Sequence, residues 1–158
     1  MFRSLQDHPH FLERFYDATL ATLKPFQRWL TPGSSGDRLF IRIERLSKGA
    51  IFDCRMCGQC ILHSTGMTCP MTCPKNLRNG PCGGVRPNGH CEIKPEMPCV
   101  WVQAWERSRR MPLYGEEIHL AQPPVNFQLH DTSAWINDFH QQQALTPKGW
   151  EQCGPDLD

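Results

Sequence analysis

A chain of 158 residues suits one domain, or a small domain with arms. Seventeen Lys and Arg against sixteen Asp and Glu leave no overall pull toward nucleic acid or an anionic membrane. Only 39% of the residues are apolar, beside 12 Gly and 14 Pro, which argues against a large hydrophobic core and for staples of another kind. No run is long and apolar enough to span a membrane, and residues 1–10, with Asp7 and two histidines but no apolar stretch, do not read as a secretory signal.

Taken in chain order, residues 8–24 are predicted helical. Leu12, Tyr16, Leu20 and Leu23 fall on one stripe, Phe11 and Phe15 widen it, and Pro25 closes it. Phe26, Trp29 and Leu30 precede a flexible break at 31–36. Such a helix either packs on its own domain or docks on a partner as an arm. Residues 37–48 suit a helix capped by Asp37 and stopped at Gly49, with Leu39, Phe40, Ile43 and Leu46 as its apolar face; Leu39, Ile41 and Ile43 also suit a strand, but the Asp and Gly signals favour the helix.

Between Cys54 and Cys99 the character changes. There is no Phe, Tyr or Trp, but there are six Gly and six Pro, and no hydrophobic period survives. Metal–thiolate bonds rather than a hydrophobic core are expected to order this segment. Arg55, Lys75, Arg78, Arg86 and Lys94 are candidates to balance an anionic centre, each read individually as an ordinary surface residue. Residues 99–111 are predicted helical, with Trp101, Ala104, Trp105 and Ser108 on one face, Arg107, Arg109 and Arg110 largely elsewhere, and Pro112 ending the pattern. The stretch from Pro112 to His130 reads as mostly extended. Asp131, Thr132 and Ser133 then cap a short helix carrying Trp135, Ile136 and Phe139, and the polar tail after Gln143 reads as mobile.

Nine cysteines are the outlying feature. Eight of them, Cys54, Cys57, Cys60, Cys69, Cys73, Cys82, Cys91 and Cys99, lie within 46 residues; Cys153 sits alone and reads as a free thiol. In a chain without an export signal, such a cluster points to metal rather than disulfides, and to the cytoplasm. Cys54, Cys57 and Cys60 form a C-x2-C-x2-C run, the spacing that supplies three ligands of a 4Fe–4S cluster in bacterial ferredoxins. Gly58 allows the tight turn this requires, and Cys69-Pro70, Cys73-Pro74 and the turn residues around Cys82 follow. Eight cysteines suffice for two four-thiolate sites. One partition joins Cys54, Cys57, Cys60 and Cys99, and separately Cys69, Cys73, Cys82 and Cys91; interleaved partitions are equally open. Zinc in at least one site is the competing reading, since four-cysteine zinc sites are common and His63 or His90 could join. No phosphate-cradling loop and no recognisable nucleophile motif is found.

These residues carry a resemblance. Cys54-Arg55-Met56-Cys57-Gly58-Gln59-Cys60, Thr68-Cys69-Pro70, Cys73-Pro74-Lys75, Asn79-Gly80-Pro81-Cys82-Gly83-Gly84, Gly89-His90-Cys91-Glu92 and the stretch from Cys99 through Trp101 and Trp105 resemble the cysteine-rich methylenetetrahydrofolate reductase C-terminal domain. The resemblance covers about residues 39–137, including Thr132-Ser133-Ala134-Trp135, and leaves residues 1–38 outside. It implies an iron–sulfur small subunit of methylenetetrahydrofolate reductase, of the kind found in acetogenic bacteria, in a heteromer of one-carbon metabolism. The partner would be a flavin-binding barrel subunit that does the hydride chemistry. The small subunit would take electrons from a protein donor and pass them toward flavin, or support the barrel. It would be a non-catalytic part of an oxidoreductase. A purely structural scaffold, and a regulatory metal module unrelated to folate, are the rivals.

The expected fold is a small, irregular, α-rich, metal-bound domain, with a few helices around a cysteine-rich loop segment. Its expected divisions are an N-terminal helical arm and linker (1–36), the cysteine-rich domain (37–143) and the polar tail (144–158). All eight clustered cysteines are the candidate ligands, for up to two 4Fe–4S clusters or zinc in one site.

Overall fold

The computed structural model describes residues 3–33 and 35–142; the tail with Cys153 lies outside the described residues. Five α-helices occur among them: α1 (Arg3–Gln6), α2 (Pro9–Leu23), α3 (Ser35–Phe52), α4 (Val100–Ser108) and α5 (Ala134–Phe139). Single 3-10 turns at Lys24–Phe26, His63–Thr65, Pro70–Thr72, Gly115–His119 and Phe127–Leu129 punctuate the loops. No strand forms among the described residues; an isolated antiparallel bridge joins His90 and Pro98. The α-rich part of the expectation therefore stands.

Helix α2 starts at Pro9, where a missing N–H is no loss because the first turn has no partner for it. It ends at Leu23, just before Pro25 as expected, and a 3-10 turn, Lys24–Phe26, follows. Helix α3, by contrast, runs through Gly49, whose Cβ position is open space, and ends where Asp53 turns left-handed at φ 52°. The region read as extended after Pro112 holds two 3-10 turns instead. Ser133 caps α5 as expected, its Oγ accepting from the Ile136 N–H at 3.2 Å.

The packing corrects several predicted faces. Leu12 is buried, but Phe11 and Phe15 remain more than half exposed and do not join its stripe. In α3, Leu39, Ile43 and Leu46 face solvent, with Leu46 75% exposed, while Glu44 and Lys48 on another face are buried. This helix is amphipathic in the inverted sense. In α4, Trp101, Ala104 and Ser108 are buried as expected, yet Trp105 is half exposed, and Arg107 is buried with them. Arg107 donates to Gln6 and Thr68 Oγ1, both at 2.9 Å, and pairs with Asp7.

The cysteine-rich segment has a core of its own, supplied by residues the aromatic count overlooks. Met67, Met71 and Leu62 are buried with Cys57 and Cys69, and Leu12 of α2 and Met111 complete the cluster. Methionine's flexible chain fills such irregular space. Gly66, at φ 60°, lies against the C-terminal turn of α4, where a Cβ would meet the Ser108 nitrogen at 2.8 Å. Helix α2 thus packs on its own chain, and it adds a polar anchor. Glu13 is fully buried, and its Oε2 accepts from the backbone N–H groups of Leu113, at 3.1 Å, and Tyr114, at 3.3 Å.

That anchor generates a prediction. Glu13→Ala strands two backbone donors and should destabilise the protein by about 2 kcal/mol, whereas Glu13→Gln, which keeps an acceptor, should lose much less. Chemical denaturation followed by circular dichroism checks both; equal midpoints for the alanine variant and the parent would refute it.

Candidate metal centres

The loop from Asp53 to Cys60 is wound tightly. Asp53, Met56 and Gly58 take φ values of 52°, 48° and 74°, and the two non-glycines are strained there unless their surroundings hold them. The surroundings do. The Asp131 N–H donates to Met56 O at 2.9 Å, Asn137 Nδ2 to Gly58 O at 2.9 Å, and Arg78 Nη2 to Gln59 O at 2.9 Å; Gln59 Oε1 in turn accepts from the Asn126 N–H at 2.6 Å. The loop's carbonyls are thereby satisfied, and Cys54, Cys57 and Cys60 line a common interior.

That interior is lined by Cys54, Cys57, Cys60 and Cys69, with Met56, Met71, Arg78 and the Glu44–Lys48 pair in its walls. A second interior is lined by Cys73, Cys82, Cys91 and Cys99, with Glu92, Met97 and Trp101. The eight cysteines therefore divide in chain order. Compared with the partition drawn from spacing, Cys69 and Cys99 change places. The reason is local. The turns at His63–Thr65 and Pro70–Thr72 fold Cys69 back beside the first run. Backbone bonds Cys91 N–H to Met97 O and Cys99 N–H to Gly89 O, both 2.9 Å, close Cys99 onto Cys91.

Both interiors are small, about 20 Å³ and about 10 Å³, room for roughly one water-sized body each. Among the described residues no three His, Cys, Asp or Glu side chains converge closely enough to hold one metal ion. The thiols line each space without meeting at a point, and none of the eight is in a disulfide. Chemically the donor sets suit a thiolate-bound metal group, with four sulfurs each, and backbone N–H groups are directed at sulfur in the first. The Met56 N–H reaches Cys54 Sγ at 3.4 Å. Receiving any group requires the loops to adjust, so binding and loop ordering are coupled.

The electrostatics of the first interior agree with the grouping. Burial pushes Cys69 up to about 12, and neighbouring Cys54 and Cys60 push the same way. Burial also pushes Cys54 up to about 11, against the Met56 N–H, which favours the thiolate. Lys48 Nζ pairs with Glu44 Oε1 at 2.6 Å and lies 4.9 Å from the centre of the Trp135 ring. Burial acts to lower its pKa, but the Cys60 sulfur and the Glu44 carboxylate outweigh it and hold the amine charged.

The histidines weighed as ligands are engaged elsewhere: His63 Nδ1 meets Glu117 Oε2 at 2.5 Å, and His90 Nδ1 meets Pro95 O at 2.7 Å. The residues that sequence reading missed are Glu44, Lys48 and Glu92, together with the burial of Arg78. Spacing of four between Glu44 and Lys48 was a visible signal of an ion pair, but nothing in it showed which face was covered. A larger, half-open cavity of about 520 Å³ lies beside both interiors. It shares Arg78 with the first and Trp101 with the second, and Trp105 stands at its wall.

The family described as methylene-tetrahydrofolate reductase C terminal matches residues 34–128. The chain belongs to this family. All eight cysteines of the two interiors fall inside the match, as do Lys48, Arg78 and Glu92. Residues 132–135, included in the resemblance drawn from sequence, lie beyond it. No curated protein and no solved structure matches the chain.

Gly58 offers a test of the first interior in this member of the methylene-tetrahydrofolate reductase C-terminal family. Its φ is 74°, and a Cβ there would stand 2.8 Å from both Leu129 Cβ and Thr132 Oγ1 and closer still to Leu129 O. Gly58→Ala should push the loop off the segment that holds it and cut metal retention by about half, with the Cys73, Cys82, Cys91 and Cys99 site keeping its share. Metal content per chain checks this; full retention would show that the loop is not held as described.

Proposed function

We propose that this chain is the metal-carrying small subunit of a methylenetetrahydrofolate reductase complex, holding up to two 4Fe–4S clusters beside a flavin-containing barrel subunit. The observation that carries the reading is the pairing of family membership with two interiors that each gather four thiols. The C-x2-C-x2-C run at Cys54, Cys57 and Cys60 supports iron–sulfur over zinc. When bound, such a group supplies one-electron storage. The protein's own residues hold it, supply N–H donors to sulfur and keep water from its face. A four-thiolate set leaves no open position for substrate, which suits passing electrons to flavin or supporting the barrel rather than catalysis. The free cysteines and the metabolic family agree with a cytoplasmic setting. Among the described residues no helix is long and apolar enough to cross a membrane.

Zinc in one or both sites is the second reading, and the small enclosed spaces favour it. Zinc would leave a structural role only, because it does not change oxidation state. Elemental analysis and an absorption spectrum of anaerobically purified protein separate the two. Iron and sulfide with broad visible absorption are expected; zinc alone, without that absorption, would overturn the electron-transfer reading.

The surface supports a heteromer. Phe11 and Phe15 of α2, Leu39, Ile43 and Leu46 of α3, and Trp29 at 84% exposed leave more apolar side chain in solvent than scattered single residues would. Because Leu12 and Glu13 of α2 belong to this chain's own packing, removing the whole helix would damage the fold, and point variants are the proper test. Phe15→Ser with Leu46→Ser should weaken co-purification with the flavin subunit by about tenfold, roughly 1.4 kcal/mol, without loss of metal. Undiminished affinity would place the interface elsewhere.

A further inference from the structure

Arg78 is 7% exposed, and only one nitrogen of its guanidinium is committed: Nη2 donates to Gln59 O at 2.9 Å. Nε and Nη1 are buried without a hydrogen-bond partner. A buried donor left unmade is costly, and more so on a charged group. The residue nevertheless lies in the wall of the Cys54, Cys57, Cys60 and Cys69 interior, where the second buried cation, Lys48, is already paired with Glu44. The wall charges there, Lys48, Glu44 and Arg78, leave one positive charge in excess. The other interior differs. Its Lys75 and Glu92 pair with each other, about a third exposed, and Glu92 Oε1 stands 3.5 Å from Cys82 Sγ. Those two charges cancel; Arg86, which donates to Cys91 O at 3.3 Å and Glu92 O at 3.4 Å, is exposed and screened by water, whereas Arg78 is buried.

We propose that the two centres are built to be unequal: Arg78 offers the N–H groups of its two unpartnered nitrogens to the sulfur of the group held by Cys54, Cys57, Cys60 and Cys69, which makes that centre the easier of the two to reduce. The inference rests on the iron–sulfur reading above. Adding one electron to either centre adds one negative charge, with no proton required. A buried cation and hydrogen bonds to sulfur stabilise that added charge and raise the potential. A carboxylate beside a ligand sulfur destabilises it. Arg78 is thus a positioning and tuning residue that need not touch a substrate, and Glu92 is its opposite at the second site.

The test is a mediated redox titration of the anaerobically purified protein, read by electron paramagnetic resonance, after iron and sulfide have been measured. Two one-electron transitions are expected in the parent. Arg78→Gln should lower the higher potential and leave the lower one in place. Arg78→Lys, which keeps the charge but loses the fork of donors, should fall between. Glu92→Gln should raise the lower potential and narrow the gap. If Arg78→Gln fails to keep its cluster, Arg78→Lys and Glu92→Gln read the same ordering. Unmoved potentials in the variants that keep both clusters, or an Arg78 variant that shifts the lower transition, would overturn the assignment while leaving the iron–sulfur reading intact. Absence of iron from the parent would instead overturn that reading and this inference together.

Discussion

The structure depends on how the loop between Asp53 and Cys60 is held. Its carbonyls at Met56, Gly58 and Gln59 are bonded by Asp131, Asn137 and Arg78. Those donors come from far along the chain, so the loop's shape is a tertiary product and not a local turn. With these carbonyls bonded, left-handed backbone at Met56 and Gly58 is stabilised, and Cys54, Cys57 and Cys60 line one interior. Helix α5, only six residues long, matters chiefly because it presents Asn137 to Gly58 and Ile136 to the interior.

The second organising feature is where charge is buried. A chain with few large apolar residues in its middle third places Glu13, Glu44, Lys48, Arg78 and Arg107 inside. Each is attached to something specific: Glu13 to the turn after Pro112, Lys48 to Glu44 and Trp135, Arg107 to α1 and Thr68. Buried polar groups of this kind specify one arrangement among several that simple apolar packing would tolerate, at a cost in desolvation. The counterpart is the exposed apolar stripe of α3, which has its polar pair inside and its Leu39, Ile43 and Leu46 outside. The buried pair of this helix thereby lines the first four-thiol interior.

Much of the architecture was legible beforehand. The helices at 8–24, 37–48 and 99–111 were visible from periodicity and caps, and the serine cap of α5 from a three-residue signal. Pro25 does mark the end of α2, but Gly49 does not stop α3, because a glycine in open surroundings costs only about 1 kcal/mol. The count of aromatics between Cys54 and Cys99 also misled, since Leu62, Met67 and Met71 join a core against which Tyr16, Phe52 and Tyr114 pack from outside the segment.

The sequence by itself determined the family and the helical segments and singled out the eight clustered cysteines, because residue spacing, turn residues and periodicity are local properties. Only the tertiary structure decided which four thiols share a space, since closing Cys69 onto Cys57 or Cys99 onto Cys91 depends on loop bonds that spacing does not encode. It also decided which charges lie at each site. Lys48 and Arg78 look like ordinary surface cations in the sequence, and burial alone makes them the electrostatic wall of the first centre, because a charge acts strongly on its neighbours only where water has been excluded.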